Sequence, residues 1–138
     1  MIHDEILFKK ITNLMRHLNR IRSKSSISLD DFLNDIDSQE IILFNLQMAI
    51  QNCIDMASHI VSIKALGLAG STNELFYMLE DEKIIEMELT EKMVKAVGFR
   101  NLIVHEYGKV DLKIVYHVCN NEINDLELFS KTVYENYH

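Results

Sequence analysis

The chain has 138 residues, which fits one domain spanning residues 1–138 that buries about two-thirds of its unfolded surface. Its 48% apolar residues, four glycines and absence of proline favour an all-helical soluble protein. The net charge of −7 argues against a general nucleic-acid coat protein. The charge is uneven, however, because residues 1–24 hold six basic residues against two acidic ones.

Several sequence features bear on location and on bound groups. No apolar run approaches the roughly 18 residues of a membrane span, and no signal peptide opens the chain. Cys53 and Cys119 show neither a CxxC nor a zinc-site spacing, so we expect buried thiols in a reducing cytoplasm. The six histidines have no metal-ligand spacing and no phosphate-binding glycine loop is present. We therefore expect neither a metal nor a cofactor.

The first helix is predicted from about Asp4 to Ser23, and residues 29–36 are predicted to form a loop with a helical turn. The helix prediction rests on an apolar stripe with spacings of 4, 3, 4 and 3 residues, namely Leu7, Ile11, Leu14, Leu18 and Ile21. The basic residues lie opposite this stripe. They could contact a phosphate backbone if the helix borders a cleft, or form an ordinary solvated face.

The second long helix is predicted from a capping box at Asp37-x-x-Glu40 to Leu66, with Gly67 placed to end it. A band of hydrogen-bonding side chains runs along this otherwise apolar helix: Asn45, Asn52 and His59, flanked by Gln51, Asp55 and Ser62. Such a band indicates a wet subunit interface or a cleft wall. Asp55 and His59 can pair at i,i+4, either to support a site or to satisfy each other in the core.

Three further helical segments complete the prediction. Ser71-x-x-Glu74 opens a short helix through Glu80, and another helix runs from Lys83 into Gly98, where the glycine indicates a close helix approach or a bend. Asp111 can cap a last helix through about Tyr134. Residues 112–118 alternate as a strand would, but no partner strand is available. The expected fold is an antiparallel bundle of about five helices.

The segment GFRNLIVHEYG, residues 98–108, concentrates residues suited to chemistry. Arg100 could stabilise charge on a phosphate, His105 could transfer a proton, and Asn101 could orient the imidazole or donate to a phosphate oxygen. No acidic triad suited to Mg²⁺ accompanies them. These residue types fit metal-independent RNA cleavage. The alternative is an arginine that caps helix carbonyls and a histidine satisfied in the core.

The spacing within this segment constrains how a site can form. Arg100 and His105 lie about 140° apart on an ideal helix, so one straight helix cannot aim both at a small ligand. Either the helix ends or distorts near Ile103, with Gly108 as a left-handed C-terminal residue, or a second copy of the chain completes the site. We expect both, and therefore a homodimer.

Arg100-x4-His105-x-Tyr107 resembles the signature of the HepT toxins, small helical ribonucleases of the HEPN superfamily. The likeness extends to the helix of residues 31–62 and to the loop and short helix LGLAGSTNELFYML, although the proline that the family often places near residues 69–71 is missing. It implies a HEPN-like dimeric fold, an RNA substrate, catalysis by Arg100 and His105, and an MNT-type nucleotidyltransferase antitoxin as partner. By position, it also implies that the antitoxin transfers AMP from ATP onto Tyr107.

Two other functions are compatible with a small helical dimer. One is a non-catalytic subunit that presents substrate or nucleotide to a nucleotidyltransferase, and the other is a scaffold without a ligand. The intact Arg-x4-His pattern favours the enzyme, because a pure binding subunit has no need of this pair.

Overall fold

The computed structural model describes residues 4–136, and within that range the protein is a bundle of α-helices without a strand. The helices are α1 (Glu5–Lys24), α2 (Leu29–Leu33), α3 (Ile36–Ile63), α4 (Thr72–Asp81), α5 (Met87–His105), α6 (Leu112–His117) and α7 (Ile123–Asn136). A 3₁₀ turn, Tyr107–Lys109, follows α5, and a π-helical turn, Val118–Glu122, joins α6 to α7. The all-helical prediction is confirmed. Its five segments correspond to α1, α3, α4, α5 and the joined α6–α7 unit.

The central helix is α3, which packs against α1, α2, α4, α5 and α7 around a core of aliphatic and aromatic side chains. On α1, the predicted stripe faces this core, and Leu14 and Leu18 are fully buried. Each such leucine stabilises the fold by about 1.5–3 kcal/mol. Cys53 and Cys119 are buried free thiols, as predicted. Burial raises the pKa of Cys119 to about 11 and also raises the pKa of Cys53, which favours the protonated thiol at both positions.

The start of α3 corrects the predicted cap. Asp35, not Asp37, is the N-cap, and its carboxylate accepts hydrogen bonds from both the amide and the hydroxyl of Ser38. These bonds, the hydroxyl one most of all, lower the pKa of Asp35 below its ordinary value. Asp37 lies within the first turn, where its charge still favours the helix N-terminus.

The end of α3 also differs from the prediction. The helix ends at Ile63, and the chain turns at Ala65, which has a φ of 51°, before it reaches Gly67. The amides of Ala65 and Leu66 donate to the carbonyls of Ser62 and Val61, which closes a Schellman-type turn. A left-handed alanine at this position is strained, because its Cβ crowds the following carbonyl.

Ala65→Gly is therefore expected to raise the free energy of unfolding by about 0.5–1 kcal/mol, since glycine removes the left-handed strain. For a chain of this size the melting temperature should rise by about 2–4 °C. Thermal unfolding followed by circular dichroism measures this change. Ala57→Gly, at a buried position within α3, provides the opposite control and should lower the melting temperature.

The two C-terminal segments show further differences. The segment of residues 83–86 is not helical, and α5 begins only at Met87, because Lys83 adopts a left-handed φ of 60°. Asp111 caps α6 as predicted by accepting from the amide of Lys113. The expected last helix is interrupted by the π turn, where side-chain amides of Asn120 and Asn121 donate to the carbonyls of Tyr116 and His117. Such side-chain bonds to helix carbonyls accompany a widened turn.

None of the helices within residues 4–136 combines the length and the apolar character needed to cross a lipid bilayer.

Candidate active site at the end of helix α5

Arg100 lies near the end of α5 with its guanidinium directed toward α3. Its Nη2 donates to Oε1 of Gln51 at 2.8 Å, and its Nη1 donates to Oδ1 of Asn101 at 3.0 Å. The Nε atom is buried and has no acceptor in the described part of the chain. Because a guanidinium offers five N–H donors, this arginine is held in place while it keeps free donor capacity. Such a group suits an anionic ligand.

Gln51 connects this arginine to α1. Its Nε2 donates to Oδ1 of Asp55 at 2.8 Å, and Oδ2 of Asp55 accepts from Nζ of Lys10 at 3.0 Å. The chain of contacts thus joins α5, α3 and α1 and orients each group by its neighbours. Sequence reasoning placed Gln51 only in the polar band of α3 and did not assign it to the site. Its i,i+4 spacing from Asp55 was the available signal.

The predicted pairing of Asp55 with His59 is wrong. Nε2 of His59 lies 2.7 Å from Oδ2 of Asp4, the residue whose other carboxylate oxygen accepts from the amide of Leu7 at the start of α1. Asp55 instead binds Gln51 and Lys10. The reason is the antiparallel packing of α1 against α3, which places Lys10 of α1 beside Asp55 and the α1 N-cap, Asp4, beside His59. Asp55 therefore belongs to the Arg100 relay, whereas His59 anchors the N-terminus of α1.

The end of α5 is regular, contrary to the expectation of a distortion near Ile103. Ile103 is buried and α5 continues to His105, where the amide of Glu106 still donates to the carbonyl of Leu102. Gly108 lies within the 3₁₀ turn without a positive φ, so it is not the predicted left-handed cap. On this regular helix, Arg100 and His105 stay about 140° apart and about 7.5 Å apart along the axis.

His105 and Tyr107 are both exposed at this end of the bundle. His105 is the last residue of α5, and its imidazole has no hydrogen-bond partner among residues 4–136. Tyr107, in the 3₁₀ turn, is 55% exposed. An imidazole that can gain or lose a proton and a phenol that another protein can reach therefore lie two residues apart.

Gly98 does not mark a close helix approach. A Cβ added there would meet nothing within 4 Å, and α5 passes through this position without a break. The glycine instead lines an apolar cleft of about 670 Å³ between α5 and the α6–α7 unit, together with Phe99 and Leu102. Within the described range, no three or more histidine, cysteine or acidic side chains lie close enough together to hold a metal ion.

Comparison with known proteins shows which family the chain resembles. Residues 14–133 match the family model described as ribonuclease HepT-like. The mRNA nuclease HepT of Shewanella oneidensis is 32% identical over 126 residues, which are 91% of this chain and 94% of the relative. The tRNA nuclease HepT of Aphanizomenon flos-aquae is 28% identical over 132 residues, 96% of this chain and 90% of that protein.

Solved structures agree with this assignment. The tri-AMPylated Shewanella oneidensis HEPN toxin in complex with its MNT antitoxin superposes with a TM-score of 0.89 at 31% identity, over 96% of this chain and 99% of that chain. A chain from a toxin–antitoxin structure with AMP-PNP also superposes with a TM-score of 0.89, at 30% identity over 96% of this chain and 99% of that chain. The family resemblance noted in the sequence is thereby confirmed, and the chain belongs to the HepT-like ribonuclease family of HEPN proteins.

Proposed function

We propose that this protein is the ribonuclease toxin of a HEPN/MNT toxin–antitoxin system. The observation that carries the proposal is the arrangement at the end of α5. Gln51 holds the guanidinium of Arg100, which keeps a free N–H donor, and the exposed side chains of His105 and Tyr107 follow it in the chain. Nearly full-length likeness to two HepT nucleases and to an AMPylated HEPN toxin supports it. The substrate is RNA and the partner is a nucleotidyltransferase antitoxin.

The proposed reaction uses the ribose 2′-hydroxyl as nucleophile. A 2′-oxygen–phosphorus bond forms, the bond from phosphorus to the 5′-oxygen of the next nucleotide breaks, and a 2′,3′-cyclic phosphate and a 5′-hydroxyl result. His105 takes the proton from the 2′-hydroxyl or gives one to the leaving 5′-oxygen, and water makes the other proton transfer. Arg100 stabilises the negative charge that accumulates on the phosphorus-bound oxygens. No metal is required for these steps. Asn101 and Asp55 position Arg100, the first directly and the second through Gln51; His59 supports the site only indirectly, through α1.

The active form is a homodimer in this proposal. Because α5 is regular to its end, Arg100 and His105 of one chain diverge, and a two-fold axis beside α5 brings Arg100 of one chain near His105 of the other. The exposure of His105 and Val104 on this helix end fits a surface that meets a second chain.

Neutralisation occurs at Tyr107 in this scheme. The phenolic oxygen attacks the α-phosphorus of ATP on the antitoxin, a phosphodiester to AMP forms, and pyrophosphate leaves. The new phosphate is negatively charged and lies two residues from His105, where it pairs with the cations of the site and occupies the RNA cleft. The 55% exposure of Tyr107 gives the antitoxin access to it.

Cleavage of total RNA in the presence of EDTA tests the nuclease proposal. Purified protein, free of antitoxin and shown by mass spectrometry to carry no AMP, should cleave RNA and leave 2′,3′-cyclic phosphate and 5′-hydroxyl ends. Ends of the opposite type, a 5′-phosphate and a 3′-hydroxyl, would show a different mechanism. Cleavage that stops in EDTA and returns with Mg²⁺ would rule out the metal-independent reaction.

A further inference from the structure

The outward face of α3 forms a surface between α1 and α5. Phe44, Gln51 and Asp55 are spaced by seven and four residues, so their side chains project within about 40° of one another. Gln51 binds Arg100 on the α5 side, and Asp55 binds Lys10 on the α1 side. Phe44 lies about 10 Å farther along the same face, given the rise of about 1.5 Å per residue. Phe44 and the Gln51 contact to Arg100 therefore lie on the same face of α3.

Phe44 is 58% exposed, although it lies within the bundle's central helix. Its ring makes a T-shaped contact with the imidazole of His17, with ring centroids 6.3 Å apart. His17 is buried and its Nδ1 lies 2.8 Å from Oδ1 of Asn45, whose Nδ2 donates to the carbonyl of Ile41. A buried polar pair thus fixes the ring in place while much of it stays open to solvent.

The depression on the α1 side of Phe44 is basic. It is shallow, has a volume of about 520 Å³ and is lined by Arg16, His17, Asn19, Arg20, Ser23, Phe44 and Asn45. Arg16 and Arg20 are exposed one helical turn apart, and neither forms an ion pair with a carboxylate in residues 4–136. No acidic side chain lines the depression. In a chain of net charge −7, this concentration of positive charge favours an anion locally.

An exposed aromatic ring beside two arginines that form no ion pair within residues 4–136 suits single-stranded nucleic acid, because a base stacks on the ring and the phosphates contact the guanidinium groups. We propose that Phe44, Arg16 and Arg20 form a subsite for an unpaired nucleotide of the RNA substrate, a few nucleotides from the phosphate that Arg100 holds. This inference rests on the proposed ribonuclease function. A second copy of the chain is a poorer occupant, since a symmetric contact would place these arginines near their own copies.

Binding of a fluorescent single-stranded RNA to the His105→Ala protein, measured by anisotropy, tests this subsite without cleavage. Phe44→Ala should weaken binding about 5- to 100-fold, and Phe44→Trp should restore it. Phe8→Ala is the matched control. Phe8 is also 58% exposed, but it lies on a different face of α1 from Arg16 and Arg20, so this variant should bind RNA as the parent protein does. Arg16→Ala and Arg20→Ala should each lower the slope of log affinity against log salt by about 0.7.

The kinetics separate this subsite from the nuclease proposal. In the active parent protein, KM should be lower for a longer strand than for a dinucleotide, because a dinucleotide is too short to reach Phe44. Phe44→Ala should raise KM for the longer strand and leave KM for the dinucleotide unchanged. RNA binding that depends on Phe44 in a protein without cleavage would keep the subsite and reject the nuclease. Unchanged RNA binding in Phe44→Ala overturns the subsite, and so does an effect that sedimentation traces to loss of the dimer or of antitoxin binding.

Discussion

His105→Ala is expected to lower kcat/KM for RNA cleavage by about 10²–10⁴-fold, because the exposed imidazole is the group assigned to proton transfer. The fold should not change, since His105 is exposed at a helix end and its imidazole has no hydrogen-bond partner in the described chain. His117→Ala is the matched control: His117 is an exposed histidine on α6 whose imidazole contacts the Asn121 side chain. Initial rates on a defined single-stranded RNA, with circular dichroism spectra of both variants, provide the measurement.

A mixing experiment extends this result to the dimer. Arg100→Ala should also be inactive, because it removes the charge that stabilises the transition state. If each site takes Arg100 from one chain and His105 from the other, then exchange of the two inactive proteins creates one intact site in every mixed dimer. Activity should return to about a quarter of the wild-type level per chain, since about half of the dimers are mixed. No recovery despite demonstrated subunit exchange would show that each site lies within one chain.

Local patterns predicted the elements of this fold because the relevant forces are local. The stripe on α1 gives an amphipathic helix whatever it packs against, and Ser71 caps α4 within its own turn. At the start of α3, Asp35-x-x-Ser38 and Asp37-x-x-Glu40 are both plausible caps. Asp35 is the N-cap, and Ser38, which donates to it, is buried against the rest of the protein. Neither capping pattern contains information about this burial.

The π turn between α6 and α7 did leave a signal in the sequence. The buried residues Val115, Cys119 and Ile123 are spaced by four, more than the 3.6 residues of an α-helical turn. Three positions in a row at this spacing drift off one face of an ideal helix, and a wider turn keeps them against the core. The difference between a spacing of four residues and one of 3.6 is small, so the apolar stripe of this segment was interpreted as an ordinary α-helix.

The candidate site shows where local reasoning ends. Arg100, Asn101 and His105 were proposed from their types and spacing, and Tyr107 was proposed from the family resemblance. The partner of Arg100 was not, because Gln51 is 49 residues away and only the packing of α5 on α3 brings them together. The same limit explains His59, since its i,i+4 spacing permits a bond to Asp55 while the packing of α1 supplies Asp4 instead.

Tyr107→Phe is expected to make the toxin resistant to its antitoxin. Wild-type protein incubated with the nucleotidyltransferase and ATP should lose its ribonuclease activity as AMP accumulates. The variant should keep nearly all of it, because phenylalanine lacks the oxygen that attacks ATP. Tyr77→Phe is the control: Tyr77 on α4 is 45% exposed, similar to the 55% of Tyr107, but lies outside the 98–108 motif, so this protein should be silenced normally. Residual RNA cleavage and intact mass, measured on the same samples, provide the readout.

The two readouts together distinguish three modes of neutralisation. Loss of activity with AMP on another residue of the variant would show that the assignment to Tyr107 is wrong. Loss of activity without any added AMP would show that the antitoxin blocks the site by contact alone, as an exposed His105 beside the 3₁₀ turn would allow. Only activity that persists in Tyr107→Phe, with no AMP attached, shows that AMP on Tyr107 is what silences the enzyme.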